Sequence, residues 1–181
     1  MTSAEAVKTK WEIDKTHSEV QFKVKHLVIS TVTGSFKKFS GSVETENEND
    51  FDNASVEFRI DVDSIDTNQA DRDAHLKSMD FFSAEEYPTI AFNGQLKKID
   101  KSFYELTGSL TIRETSKKVE LSVEFGGTVK DPWGNIKAGF ELTGKINRKD
   151  FGLNWNALTE AGGVVVGDEV KLHLNIELIK S

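Results

Sequence analysis

HSEVQFKVKHLVIS, residues 17–30, decides the fold. Val20, Phe22 and Val24 share one register; Glu19, Gln21, Lys23 and Lys25 share the other. A period of two puts successive side chains on opposite faces of a strand, so one face is dry and the other wet. His26 follows in the dry register. A titratable ring there has two readings. It is a core histidine bonded to a backbone carbonyl, since buried polar groups nearly always find partners. Or it is one of the few polar points in an apolar pocket.

The same alternation runs through most of the chain. Residues 55–62 bury Val56, Phe58, Ile60 and Val62, and residues 89–97 offer Ile90, Phe92, Gly94 and Leu96. Residues 104–113 offer Tyr104, Leu106, Gly108, Leu110 and Ile112, and residues 119–125 offer Val119, Leu121, Val123 and Phe125. Residues 136–146 bring Ile136, Ala138, Phe140, Leu142, Gly144 and Ile146. Residues 170–178 bring Val170, Leu172, Leu174, Ile176 and Leu178. Shorter strands are expected through Val32, Gly34 and Phe36 and through Trp11 and Ile13. Several links are hairpin-like, such as Asp131-Pro132-Trp133-Gly134-Asn135. Amphipathic strands without intervening helices predict an all-β antiparallel sheet, and the cost of exposed edges favours closure into a barrel.

One stretch interrupts the pattern. Residues 66–78 have helix-compatible composition with capping residues at their start, and residues 83–86 read as a capping box before Tyr87-Pro88. This insertion is placed to cover one barrel end. Residues 44–52, ETENENDFD, read as an acidic, solvated loop. Gly34, Gly94, Gly108 and Gly144 all fall in apolar registers. Either they let the strands coil under neighbouring side chains, or they leave a lumen open for a guest.

The chain's 181 residues allow one domain with a sizeable core, expected over residues 10–181 after a flexible tail at 1–9. A net charge of −7 argues against nucleic acid or an anionic membrane surface as a main partner. The lysine pairs at 37–38, 97–98 and 117–118 read as solvated loop charges. Cysteine is absent, which removes disulfides and thiolate chemistry. No integral membrane segment and no leader peptide are visible, so the expected location is cytoplasmic, or periplasmic if a leader has been removed. The histidines lack metal-ligand spacing, and no nucleophile elbow, Walker loop or dinucleotide fingerprint occurs, so no metal, cofactor or catalytic residue is expected. His17 belongs to a turn, His75 pairs with Asp71 along a helix, and His173 faces solvent. Trp133 and Trp155 are either pocket-mouth aromatics or anchors packed on the barrel rim.

WEIDKTHSEVQFKVKHL, TGSFKKFSG, SIDTNQADRDAHLKSMDFF, YPTIAFNG, YELTGSLTIRETSKKVEL and INRKDFGLNW together resemble the YceI-like family, in order and over nearly the whole chain. Glu114 and Lys118 depart from it, standing where the family usually carries glycine and proline. The resemblance implies an antiparallel lipocalin-like barrel whose elongated lumen binds a long isoprenoid or other lipid, such as a polyisoprenoid or isoprenoid quinone, without catalysis. The apolar registers then face the ligand through Val20, Phe22, Val24, His26, Phe36, Phe58, Ile60, Phe92, Leu106, Gly108, Leu110, Val123, Phe125, Phe140, Leu142, Leu172 and Leu174. The glycines leave room for it, and His26 offers a hydrogen bond inside the pocket. The alternatives are an enzyme acting on a lipid or quinone through His26, a binder of fatty acids or fatty amides, and a filled barrel that serves protein partners. A homodimer remains open.

Overall fold

The computed structural model describes residues 8–157 and 165–181. Its strands are β1 (Thr9–Ile13), β2 (Glu19–His26), β3 (Ser30–Phe36), β4 (Phe39–Thr45), β5 (Ser55–Asp61), β6 (Ile65–Asp66), β7 (Thr89–Asp100), β8 (Phe103–Ile112), β9 (Thr115–Lys130), β10 (Ile136–Asn147) and β11 (Val166–Lys180). One helix, α1 (Ala70–Lys77), lies between β6 and β7. All pairings are antiparallel. The order β1-β4-β5-β7-β8-β9-β10-β11, joined by β1 to β11, closes an eight-stranded barrel. No helix among the described residues is long and apolar enough to cross a membrane. Of the expected tail, residues 1–7 lie outside the described residues, while Thr9 already pairs with Thr45.

β1 and β2 form one long strand with a break. β11 pairs with β1 through Leu178–Lys180 and with β2 through Val166–Asn175. The break is a single 3-10 turn, Lys15–His17, capped by Asp14. The Asp14 N–H donates to the Glu177 carbonyl at 2.8 Å, and the Glu177 N–H donates to Ser18 Oγ at 2.9 Å. β11 therefore holds the chain on both sides of the break. β3 and β4 form a second broken strand, interrupted at Lys37-Lys38. The sequence shows β4 poorly because its inward register reads Phe39, Gly41, Val43, Thr45, and two of those four are not apolar. The exposed pairs Lys97-Lys98 and Lys117-Lys118 lie within β7 and β9 rather than in loops.

The inward glycines do not hold space open. A Cβ at Gly94 or at Gly108 would come within 2.6 Å of Phe92 Cζ. The two glycines are a cross-strand pair beneath that one ring. The Phe22 ring covers Gly34 and the Leu121 side chain covers Gly144 in the same way. Coiling under neighbouring side chains is therefore the correct reading of these four positions, because a sheet that curls tightly needs small residues where large ones lie across it.

The end of the barrel at the β9–β10 turn is plugged by aromatics. Phe51, 1% exposed, packs with ring centroids 5.1 Å from Trp11, 5.4 Å from Phe125 and 5.0 Å from Phe140. It lies in the stretch read from sequence as a solvated loop. The loop is strapped to β7, with Asn53 N–H donating to the Leu96 carbonyl and Leu96 N–H to the Ala54 carbonyl, each at 2.9 Å. One aromatic in an acidic run has no periodic neighbours to mark it as core.

Asp14 and Lys137 form a half-buried ion pair on the barrel wall, with Nζ 2.7 Å from Oδ2. Glu177 and Asp131 also face Lys137, at 3.6 and 4.0 Å, and His17 Nδ1 is 2.9 Å from Asp14. Asp14, His17 and Glu177 stand close enough to hold an ion, but the Lys137 ammonium already bonds to the Asp14 carboxylate. The hydrogen bond from Lys137 is the largest influence on Asp14 and holds its carboxyl well below the usual carboxylate range, against the effect of burial.

Two outcomes are expected. Gly108→Phe must displace Phe92 and push on β7, so urea denaturation should show a loss of about 1–3 kcal/mol or more. The Asp14 pKa is lower folded than unfolded, so its contribution is complete above about pH 4 and fades as pH falls below that. Asp14→Asn should lower stability at neutral pH and flatten the acid limb of the stability profile, read by thermal melts from pH 7 downward.

Candidate functional site

The barrel encloses a cavity of about 540 Å³ with an almost wholly apolar lining. Five successive inward residues of β11, Val170, Leu172, Leu174, Ile176 and Leu178, line this one space. They span about 26 Å of strand at about 3.3 Å per residue, so the cavity is long and narrow. Every residue expected from the sequence to meet a ligand lines it except Gly108 and Phe125. Gly108 is covered by Phe92, and Phe125 stacks on Phe140 at 5.0 Å within the plug. Both positions are in the inward register; the register gives a face, and packing decides whether that face meets space or another side chain.

The plug closes one end, and the other end is built from non-strand segments. Half-buried His26 tops β2 on the lining, and the exposed Gln69 and Asp71 mark where the cavity reaches solvent. The helix insertion does cover this end. Its helical part is shorter than residues 66–78: Thr67 and Asn68 form a turn held by Asp73 and Asp66, and Gln69 caps α1. Arg72 lines the mouth while its Nε donates to Thr67 Oγ1 at 2.7 Å and its Nη2 to the Thr67 carbonyl at 2.6 Å. Leu76, Phe81 and Phe82 add apolar wall.

His75 is not paired along the helix with Asp71. Its Nε2 lies 2.9 Å from Asp80, and its ring meets Trp155 edge-on at 4.6 Å. Trp155 lines the cavity and also packs on Phe81 at 5.4 Å, so it serves as mouth aromatic and rim anchor at once. Trp133, 83% exposed, does neither. His17 sits in its turn, and His173 faces outward beside Glu141 at 3.1 Å, both as read.

Arg148 organises the β10–β11 side of the mouth, a role that its sequence context does not show. The side chain is buried, at 3% exposure of the residue. Its guanidinium donates to the carbonyls of Leu153, Trp155, Val166 and Gly167, the last at 2.9 Å. A planar five-donor fork can satisfy four converging carbonyls where an ammonium cannot. An arginine followed by Lys149-Asp150 looks like surface charge, so only the returning loop reveals it. Among the described residues the His26 imidazole has no hydrogen-bond partner; its carbonyl accepts from Ser30 Oγ at 3.2 Å. A long dry channel with a few polar groups at one mouth can hold an extended apolar chain and meet one polar terminus.

A model of the YceI-like domain matches residues 11–178. A UPF0312 protein of Staphylococcus epidermidis is 38% identical over 170 residues, covering 93% of this chain and 96% of that protein. The crystal structure of the Campylobacter jejuni YCEI protein matches with a TM-score of 0.71 at 34% identity, covering 100% of this chain and 99% of that one. A polyisoprenoid binding domain from Saccharophagus degradans matches with a TM-score of 0.69 at 14% identity, covering 94% and 98%, a likeness of fold alone.

Removing the Arg148 fork leaves its carbonyls without their charged donor. Arg148→Met should cost at least about 3 kcal/mol in urea denaturation, and Arg148→Lys should recover little of it.

Proposed function

The chain belongs to the YceI-like domain family, and we propose that it holds a long-chain isoprenoid lipid in its lumen and carries or stores it unchanged. One observation carries this reading: a single apolar channel follows β11 from Val170 to Leu178 and ends at a polar mouth. Its volume of about 540 Å³ falls within the usual range for ligand pockets, about 300–1,000 Å³. The polyisoprenoid binding domain of Saccharophagus degradans shares the fold and supports the choice of ligand class.

The energetics permit it. Burying about twenty methylene-sized groups is worth about 16 kcal/mol gross, at about 0.8 each. Association and ordering take back about 4–15 kcal/mol. Chain length therefore sets affinity, and the mouth sets which terminus is accepted. His26 supplies the oriented hydrogen bond there, with Arg72 across the opening on α1.

Native mass spectrometry after incubation with an isoprenoid quinone, an isoprenoid alcohol and a fatty amide tests the reading. The isoprenoids should give stoichiometric adducts that leave unaltered on extraction. No adduct with either isoprenoid, or a chemically changed product, defeats it. His26→Leu should stay folded and alter the preference among head groups about two- to tenfold, the worth of one hydrogen bond, while leaving chain-length preference as it was.

A further inference from the structure

The hairpin between β2 and β3 turns through Leu27, Val28 and Ile29. All three are exposed, Val28 at 72% and Ile29 at 85%. Leu27, with φ of 54°, and Val28, with φ of 66°, both lie in the left-handed region. Tight hairpin turns ordinarily place Asn, Asp or Gly there, because a β-branched residue at positive φ is strained. Strain kept at an exposed aliphatic tip helps neither folding nor solubility. The tip stands on the rim of the lumen. Leu27 N–H donates to the Val165 carbonyl at 2.9 Å, and His26, Val24, Val32 and Val165 all line the cavity.

The outer face beneath the tip is basic. Lys23 of β2 lies opposite Lys171 of β11, and Lys171 lies opposite Lys145 of β10. Three exposed lysines thus share one rung of the sheet. Lys25, one outward position nearer the tip, donates to Thr31 Oγ1 at 3.2 Å. Like charges directly opposite each other destabilise a sheet. Among the described residues none of these four lysines makes an ion pair. On the same face Glu141 is engaged with His173, Asp168 with Lys149 and Glu120 with Lys118, while Glu169, two residues from Lys171, stands opposite Asn147. No basic run in the sequence announces this rung, and the chain as a whole is acidic at −7.

We propose that the Leu27–Ile29 tip and the lysine rung are a docking surface for an anionic lipid bilayer, seating the mouth of the lumen on the membrane. Docking stands on the surface itself; its consequence, exchange of cargo with the bilayer, rests on the carrier reading. The dimensions fit. From Lys23 to Leu27 is about 13 Å of strand, or about 10 Å along the barrel axis at a tilt of about 40°. Interfacial apolar groups enter the acyl boundary by about 5–10 Å. The tip then lies among acyl chains while the lysines lie level with the phosphates. Each lysine near such a surface gains about fivefold in affinity.

Vesicle flotation of the whole protein tests this. The parent should float with phosphatidylcholine–phosphatidylglycerol vesicles, far less with phosphatidylcholine alone, and should be released at high salt. The triple variant Lys23→Gln, Lys145→Gln, Lys171→Gln should bind about a hundredfold more weakly, from about fivefold per lysine. Leu27→Asn with Val28→Gly suits the left-handed turn, so it should raise the thermal midpoint while abolishing flotation. A parent that ignores both vesicle types, or either variant floating as the parent does, overturns the proposal. So does a concentration-dependent dimer that the tip variant abolishes while the parent binds no vesicles, which assigns the tip to a second copy. Quinone uptake from dilute ethanolic solution is measured in parallel. No uptake by the parent, of quinone or of an isoprenoid alcohol offered the same way, defeats the carrier reading and leaves docking to be judged on flotation. With a parent that binds quinone, the variants should match it from solution and lag behind it from vesicles; equal rates from vesicles overturn the coupling of docking to exchange.

Discussion

Barrel closure depends on the backbone hydrogen bonding of β11 along both its edges. One edge pairs with β10 from Glu169 to Ile179; the other takes β2 and then β1. A sheet of amphipathic strands with free edges would expose unpaired amides and half of its apolar face. Pairing the first strands with the last removes the edges and turns one dry face into the wall of a lumen. Asp14, Ser18 and Glu177 secure the place where the first strand breaks, so the long strand can bend without losing its partner.

The two ends of the barrel are closed by different chemistry. Phe51, Trp11, Phe125 and Phe140 fill one end with aromatic rings. The other is assembled from α1 and the returning loop, held by directional bonds at Thr67, Arg72 and Arg148. Aromatic packing leaves little room, whereas a hydrogen-bonded rim can frame an opening. That asymmetry gives the lumen one mouth and gives an extended guest one polar end to present.

Charge is segregated accordingly. Acidic groups dominate the chain, yet the wall beneath the mouth carries the Lys23, Lys171, Lys145 rung, and the lumen itself is apolar. Affinity for a greasy chain comes from length and burial, which need no ion pair. The charged groups are therefore free to act on the outside, in the pairing of Asp14 with Lys137 and in the basic face under the hairpin tip.

The period of two in residues such as Val20, Phe22 and Val24, or Leu172 and Leu174, was sufficient for the strands, their inward faces and most of the lumen lining. It is a local property, set by the alternation of side chains along extended backbone. Packing over the inward face was not legible. Gly108 shares its register with Leu106 and Leu110, yet the ring of Phe92 covers it, and Phe125 became part of a plug. Phe51, Arg148 and His75 had no periodic neighbours: Phe51 meets Trp11, Phe125 and Phe140 of three distant strands, and Arg148 and His75 both meet Trp155 of the loop after β10. The lysine rung was invisible for the same reason, since Lys23, Lys145 and Lys171 meet only through strand register. The sequence by itself determined which face of each strand is dry, because that depends on neighbours two residues apart. Only the tertiary structure decided what that face meets, because contacts between distant residues are settled by closure of the barrel and the packing of its ends.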